Sequence, residues 1–275
     1  MNDAPAMLTL SGGRVAFEVR GHENGGTPVL LLRPLAGSMA LWGEFRDVLA
    51  ATHHVIAFDP LGVGSSSPAA LDVTTREMAR DAVAVLDALA VTRAHVFGIS
   101  LGAMVATWLA IDAPARVARL CLASAGPVGF ALTLSALSRG VEMVEAVLSP
   151  EHEVVTRLVE AVLSRGVCKG EPEIVETVEA ATADDPARRG EILKHAIAAA
   201  RHDAQAELHR IVAPTLVLAG DHDELVGSGP PAALAAAIAG ARFEIIVDAG
   251  HDLTLEQPVA TARRVARFFE GEGDR

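Results

Sequence analysis

The chain predicts an α/β fold built on a mostly parallel sheet of about eight strands. Three observations carry this. Short apolar runs alternate with helical patterns along most of the sequence. Several of those runs are apolar throughout, as strands buried on both faces are. And 275 residues, 51% hydrophobic and 21% charged, suffice for one large domain with a substantial core. That composition excludes a disordered or fibrous chain.

Residues 8–10 and 15–20, split by Gly12-Gly13, read as an opening hairpin. Residues 29–32 are a continuous apolar run, a strand covered on both sides. Residues 41–50 are helical, and 55–58 form the next strand, ending at Asp59-Pro60. Thr74-x-x-Glu77 is a capping box. It opens a helix whose apolar stripe is Met78, Ala82, Val85, Leu86 and Leu89. Strand 95–99, helix 101–111 and strand 118–123 follow. From 126 to 210 the strand rhythm stops and the segment reads as helical. Its stripes are Val144, Val147 and Leu148; Val155, Leu158, Val159 and Val162; Ile174, Val175 and Val178; and Ile192, Leu193 and Ile197. Strand 215–219, helix 231–238, strand 243–247 and helix 259–269 complete the chain. The expected organisation is therefore a core of 1–125 and 211–275 with a helical cap, 126–210, inserted after the sixth strand.

Charge narrows the partners. With 23 basic and 35 acidic residues the net charge is −12, which repels a nucleic-acid backbone. The longest uncharged run, between Arg119 and Arg139, is near the roughly 20 residues a membrane span needs. Ser124, Gly126, Pro127 and Gly129 interrupt it, so no membrane partner is expected. Cys121 and Cys168 form no CxxC pair, which speaks against a zinc ribbon or a disulfide framework. With a polar opening and no secretory pattern, a cytoplasmic location is expected. Tyrosine is absent, so no tyrosine donor enters the chemistry.

The sharpest chemical signal is Gly98-Ile99-Ser100-Leu101-Gly102, where a predicted strand meets a predicted helix. In that context the pattern works as a nucleophile elbow. The turn is tight, so small residues must flank the serine. The helix N-terminus behind it offers N–H groups and a positive dipole end to an oxyanion. Serine needs a base, and ten histidines compete. His251 stands out because it follows the last predicted strand, where an open parallel sheet places its site. The acid should come from the loop after strand 215–219, but Asp221, Asp223 and Glu224 leave the choice open.

Over nearly its whole length the chain resembles the α/β-hydrolase superfamily. The resemblance rests on residues 29–42, Asp59-Pro60-Leu61-Gly62-Val63-Gly64-Ser65-Ser66, and residues 98–102, 214–226 and 250–258. It implies the α/β-hydrolase fold and the chain order serine, acid, histidine. It also implies that the acid lies three residues after the glycine of Gly-x-x-Asp, here Asp223, with Asp221 as the fallback. Neither a metal nor an organic cofactor is implied. One departure is Arg33-Pro34 where members commonly carry His-Gly. The oxyanion donors implied are the backbone N–H groups of Leu35 and Leu101. The loop is similar to that of the β-ketoadipate enol-lactone hydrolases. A serine at the elbow argues against haloalkane dehalogenases and epoxide hydrolases, which carry aspartate there.

These readings predict a cofactor-free serine hydrolase that cleaves a small ester or lactone through an acyl-enzyme. Arg33, at the mouth of the site, either clamps the carboxylate of a carboxylated substrate or turns away to pair with Asp59 or another nearby carboxylate. Trp42, just after the oxyanion loop, is a second candidate substrate contact, although core packing is the place expected for it. A C–C bond hydrolase, an acyltransferase or a biosynthetic tailoring enzyme on the same triad is the alternative. An idle ligand-binding protein on the same fold is the alternative of another class.

Overall fold

The computed structural model describes residues 5–35, 37–129, 163, 173–176 and 188–272. Its eight strands are β1 (Ala6–Leu10), β2 (Gly13–Arg20), β3 (Val29–Leu32), β4 (Val55–Phe58), β5 (Ala94–Ile99), β6 (Val117–Ala123), β7 (Thr215–Gly220) and β8 (Arg242–Ile246). They form one sheet in the order β1-β2-β4-β3-β5-β6-β7-β8. The opening hairpin is antiparallel and joins β4 antiparallel; every later pairing is parallel. The α/β-hydrolase arrangement expected from the sequence is therefore present, with each strand found within a few residues of its expected place.

The continuous apolar runs are explained by two cores. Alternate side chains of a strand point to opposite faces. Leu30, Leu32, Ile56, Phe58, Val96, Leu120, Leu122 and Val217 face one side, under α2 (Thr75–Ala88), α3 (Leu101–Asp112) and α5 (Gly229–Ala237). Val29, Leu31, Val55, Ala57, Phe97, Ile99, Cys121, Leu216 and Leu218 face the other, under α1 (Gly43–Ala50) and α7 (Pro258–Phe269). Each large side chain buried this way contributes roughly 1.5–3 kcal/mol. The helix behind the serine is buried from Leu101 to Ile111 on every side, so it cannot shift without opening the core.

Local signals set the element ends. Thr74 and Glu77 form the capping box reciprocally at the start of α2: Glu77 N–H donates to Thr74 Oγ1, and Thr74 N–H donates to the Glu77 carboxylate. The helix expected over 41–50 divides into a 3-10 turn, Met39–Trp42, and α1. A short helix not foreseen, α6 (Leu253–Glu256), follows His251 and is capped by Asp252.

The cap expected over 126–210 lies outside the described residues except at 126–129, 163, 173–176 and 188–210. The stripes from Val144 to Val162 fall outside them. The last stripe is corrected. In α4 (Arg188–Ala200) Ile192 is buried, but Leu193 and Ile197 are 46% and 43% exposed. The buried face is Ile192, His195 and Ala199, at spacings of three and four; Leu193 is turned about 100° away from it. This face is pinned to the loop after β4: Glu191 accepts from Ala69 N–H, Lys194 donates to the Ala69 carbonyl, and His195 Nε2 lies 2.9 Å from the Leu61 carbonyl oxygen. No helix among the described residues is long and apolar enough to cross a membrane.

Candidate active site

Ser100 follows β5 directly and heads α3. Its backbone sits at φ 54°, ψ −119°, a conformation L-residues avoid, held by its N–H bond to the Ala123 carbonyl at 2.8 Å. The flanking glycines have a steric cause. A Cβ on Gly98 would overlap the backbone of Gly102, and one on Gly102 would overlap the Leu32 carbonyl. Strand, turn and helix thus press the serine outward at the C-terminal end of the sheet.

His251 lies after β8 and Asp223 after β7, so three strand ends converge on one point. His251 Nε2 is 2.8 Å from Ser100 Oγ, and His251 Nδ1 is 2.9 Å from Asp223 Oδ2. Ser100, Asp223 and His251 are 6%, 7% and 2% exposed. The other Asp223 oxygen accepts the N–H groups of Leu225 and Val226 at 3.0 and 2.8 Å, which fixes the carboxylate plane.

Electrostatics follow the geometry. Burial alone pushes the Asp223 carboxyl up, but His251 and the loop N–H groups outweigh it and hold it below the usual aspartate range. Burial likewise pushes the His251 imidazole down. Asp223, with Asp252 and Glu256 behind it, outweighs that and raises it above 6.5. An ionised acid beside the ring thereby stabilises the imidazolium whenever it forms.

The remaining carboxylates of the acid loop face elsewhere. Asp221 is exposed and accepts Ala249 N–H at 3.2 Å, and Glu224 is exposed. Asp221, His222 and Asp248 form a solvent-open group whose ligand atoms lie within 4.8 Å of one another. It lies apart from the buried triad, and one Asp221 oxygen is already engaged by Ala249.

Leu101 is the first residue of α3, and its N–H is among those that head the helix. Leu35 occupies a turn after β3 closed by the Gly37 N–H to Pro34 carbonyl bond at 3.1 Å. The two candidate substrate contacts are corrected to their structural alternatives. Arg33 does not line the mouth of the site: its side chain is 2% exposed and pairs with Asp252 at 2.9 Å. Its other terminal nitrogen reaches Thr254 Oγ1 at 3.1 Å and the Leu41 carbonyl at 3.5 Å. Trp42 is fully buried and packs on Phe45 and Phe97, with ring centroids 5.5 and 5.9 Å away.

Sequence reasoning missed three residues that shape the histidine loop. Asp252 accepts Thr254 N–H and caps α6. Thr254 Oγ1 donates to Asp252 Oδ1 at 2.6 Å. Glu256 accepts Gly250 N–H at 3.0 Å, from six residues on. Asp252-x-Thr254 is an N-cap pattern and was the available signal.

A family model for the alpha/beta hydrolase fold matches residues 27–258. A relative from Variovorax paradoxus that carries a carbamate hydrolase name is 32% identical over 92% of this chain and 95% of its own. The rhodomycin D methylesterase DauP of a Streptomyces species is 33% identical over 86% of this chain and 89% of its own. The crystal structure of an enol-lactonase from Burkholderia xenovorans superposes with a TM-score of 0.85 at 22% identity. It covers 96% of this chain and 100% of that one.

Proposed function

The chain belongs to the α/β-hydrolase family, and from that premise we propose that it is a serine hydrolase cleaving a small ester or lactone through an acyl-enzyme. The observation that carries this reading is the unbroken line from Ser100 Oγ through the imidazole of His251 to Asp223, with bonds of 2.8 and 2.9 Å. The methylesterase name of one relative supports an ester, and a lactone is a cyclic ester open to the same attack.

In this mechanism Ser100 Oγ attacks the carbonyl carbon while His251 Nε2 takes its proton. Asp223 holds the proton on Nδ1, so Nε2 presents its lone pair, and the carboxylate stabilises the imidazolium that forms. The N–H groups of Leu35 and Leu101 receive the negative oxygen. As the intermediate collapses, His251 returns the proton to the departing oxygen, leaving the acyl group on Ser100. Water then attacks that ester with His251 again as base, and Ser100 regains its hydrogen. Every proton is handled by His251, so the cycle balances without a cofactor. The segment 126–210 serves as the cap that shapes the acyl pocket. Arg33 is spent on Asp252, so the proposal carries no preference for a carboxylated substrate.

Replacement of the nucleophile tests this. Ser100→Ala should lower kcat on p-nitrophenyl acetate and on a simple lactone by about 10⁴-fold or more. An unchanged rate in the folded variant contradicts the mechanism.

A further inference from the structure

Arg33 and Asp252 are 219 positions apart, each 2% exposed, yet they meet at 2.9 Å. A buried ion pair is poor evidence of stabilisation, because desolvating both charges offsets their attraction. This one sits between the two loops that matter. Arg33 lies two residues before Leu35, and Asp252 is the neighbour of His251. Its guanidinium also lies 4.6 Å from the Trp42 ring centroid and reaches the Leu41 carbonyl, so both ends of the 33–42 loop are gathered on one cation. A Cβ on Gly37 would lie 2.8 Å from Arg33 Nε, so the loop backbone rests against the same group.

We propose that the Arg33–Asp252 pair is a positioning device that ties the oxyanion loop to the histidine loop and balances the field at His251. The proposal rests on the serine-hydrolase reading. Three carboxylates act on His251: Asp223 from the loop after β7, Asp252 from its own loop and Glu256 from α6. Ser100 faces it from the elbow, and Asp59, after β4, acts on Arg33. Each carboxylate left unopposed favours the protonated imidazole, the form that cannot accept a proton from serine. Arg33 offsets Asp252 and leaves Asp223 as the dominant partner. Arg33 and Asp252 are therefore positioning residues, acting through His251 and Leu35.

The test uses Arg33→Met, Arg33→Lys and Asp252→Asn in the full chain, with folding checked by circular dichroism. The His251 ring is titrated by nitrogen-15 NMR, and Ser100 is reacted with a fluorophosphonate at each variant's pH optimum. Loss of the cation in Arg33→Met should raise the His251 pKa, and loss of the anion in Asp252→Asn should lower it, each on the order of one unit. Arg33→Lys should titrate near the wild type. Phosphonylation should slow about 10²-fold in Arg33→Met and less in Arg33→Lys, because the loops lose register. Asp252→Asn retains an oxygen for the α6 cap, so it carries the test if Arg33→Met does not fold. A His251 titration identical to the wild type in the folded variants overturns the proposal. A wild type that takes up no phosphonate contradicts the serine-hydrolase reading instead, and the His251 titration still decides the role of the pair.

Discussion

Asp221 and Asp223 stand two residues apart in one loop, yet their carboxylates do different things. Asp223 is buried against His251 and braced by backbone N–H groups of its own loop, whereas Asp221 is open to solvent and accepts backbone N–H groups, that of Ala249 among them. Charge and spacing alone left Asp221, Asp223 and Glu224 equivalent, because a sequence does not show which carboxylate a loop turns inward. The family pattern pointed to Asp223, and the geometry gives a physical reason. Asp223→Asn should lower kcat by about 10⁴-fold, as loss of the correct histidine tautomer does in serine proteases. Asp221→Asn should stay within about threefold of the wild type in the same steady-state assay, since an amide oxygen still accepts the Ala249 N–H. The reverse ranking would place the acid at Asp221. Arg33 stands open in the sequence, between a substrate and a carboxylate of the protein, for a related reason. An arginine beside an oxyanion loop suggests a ligand clamp, and a partner 219 residues away leaves no local mark.

At the scale of elements, the strand, elbow and helix around Ser100 were legible because sterics leave few options. Two glycines around a serine at a strand-to-helix junction report a backbone that must touch its neighbours. A methyl group on Gly102 meets the Leu32 carbonyl, so Gly102→Ala should lower the unfolding free energy by about 2–3 kcal/mol. Gly190, in α4, has open space around the same added carbon, and Gly190→Ala should raise stability by up to about 1 kcal/mol. Urea unfolding of both variants checks the opposite signs; equal effects would mean that the elbow is not sterically fixed. Elements without such constraints were read less well. α6 is four residues long, too short for a periodic pattern, and only its Asp252 cap announces it. The stripe assigned to Ile192, Leu193 and Ile197 counted apolar residues without weighing their angles, and α4 buries His195 instead.

For the whole molecule, the sheet was legible because the inner strands of its six-stranded parallel array are buried on both faces, which leaves continuous apolar runs in the sequence. The same architecture brings the ends of β5, β7 and β8 together, so residues 100, 223 and 251 meet although long segments separate them. Topology, rather than local sequence, assembles the site. On the proposed mechanism this assembly makes Ser100 a nucleophile that carries the acyl group. The direct measurement is acid quenching of the enzyme milliseconds after mixing with p-nitrophenyl acetate, followed by peptide mass mapping. A single acetyl group on the peptide containing Ser100, formed in step with a burst of p-nitrophenol and absent from Ser100→Ala, is the predicted result. Sustained hydrolysis with no adduct on Ser100, at a rate that Ser100→Ala retains, would contradict the account.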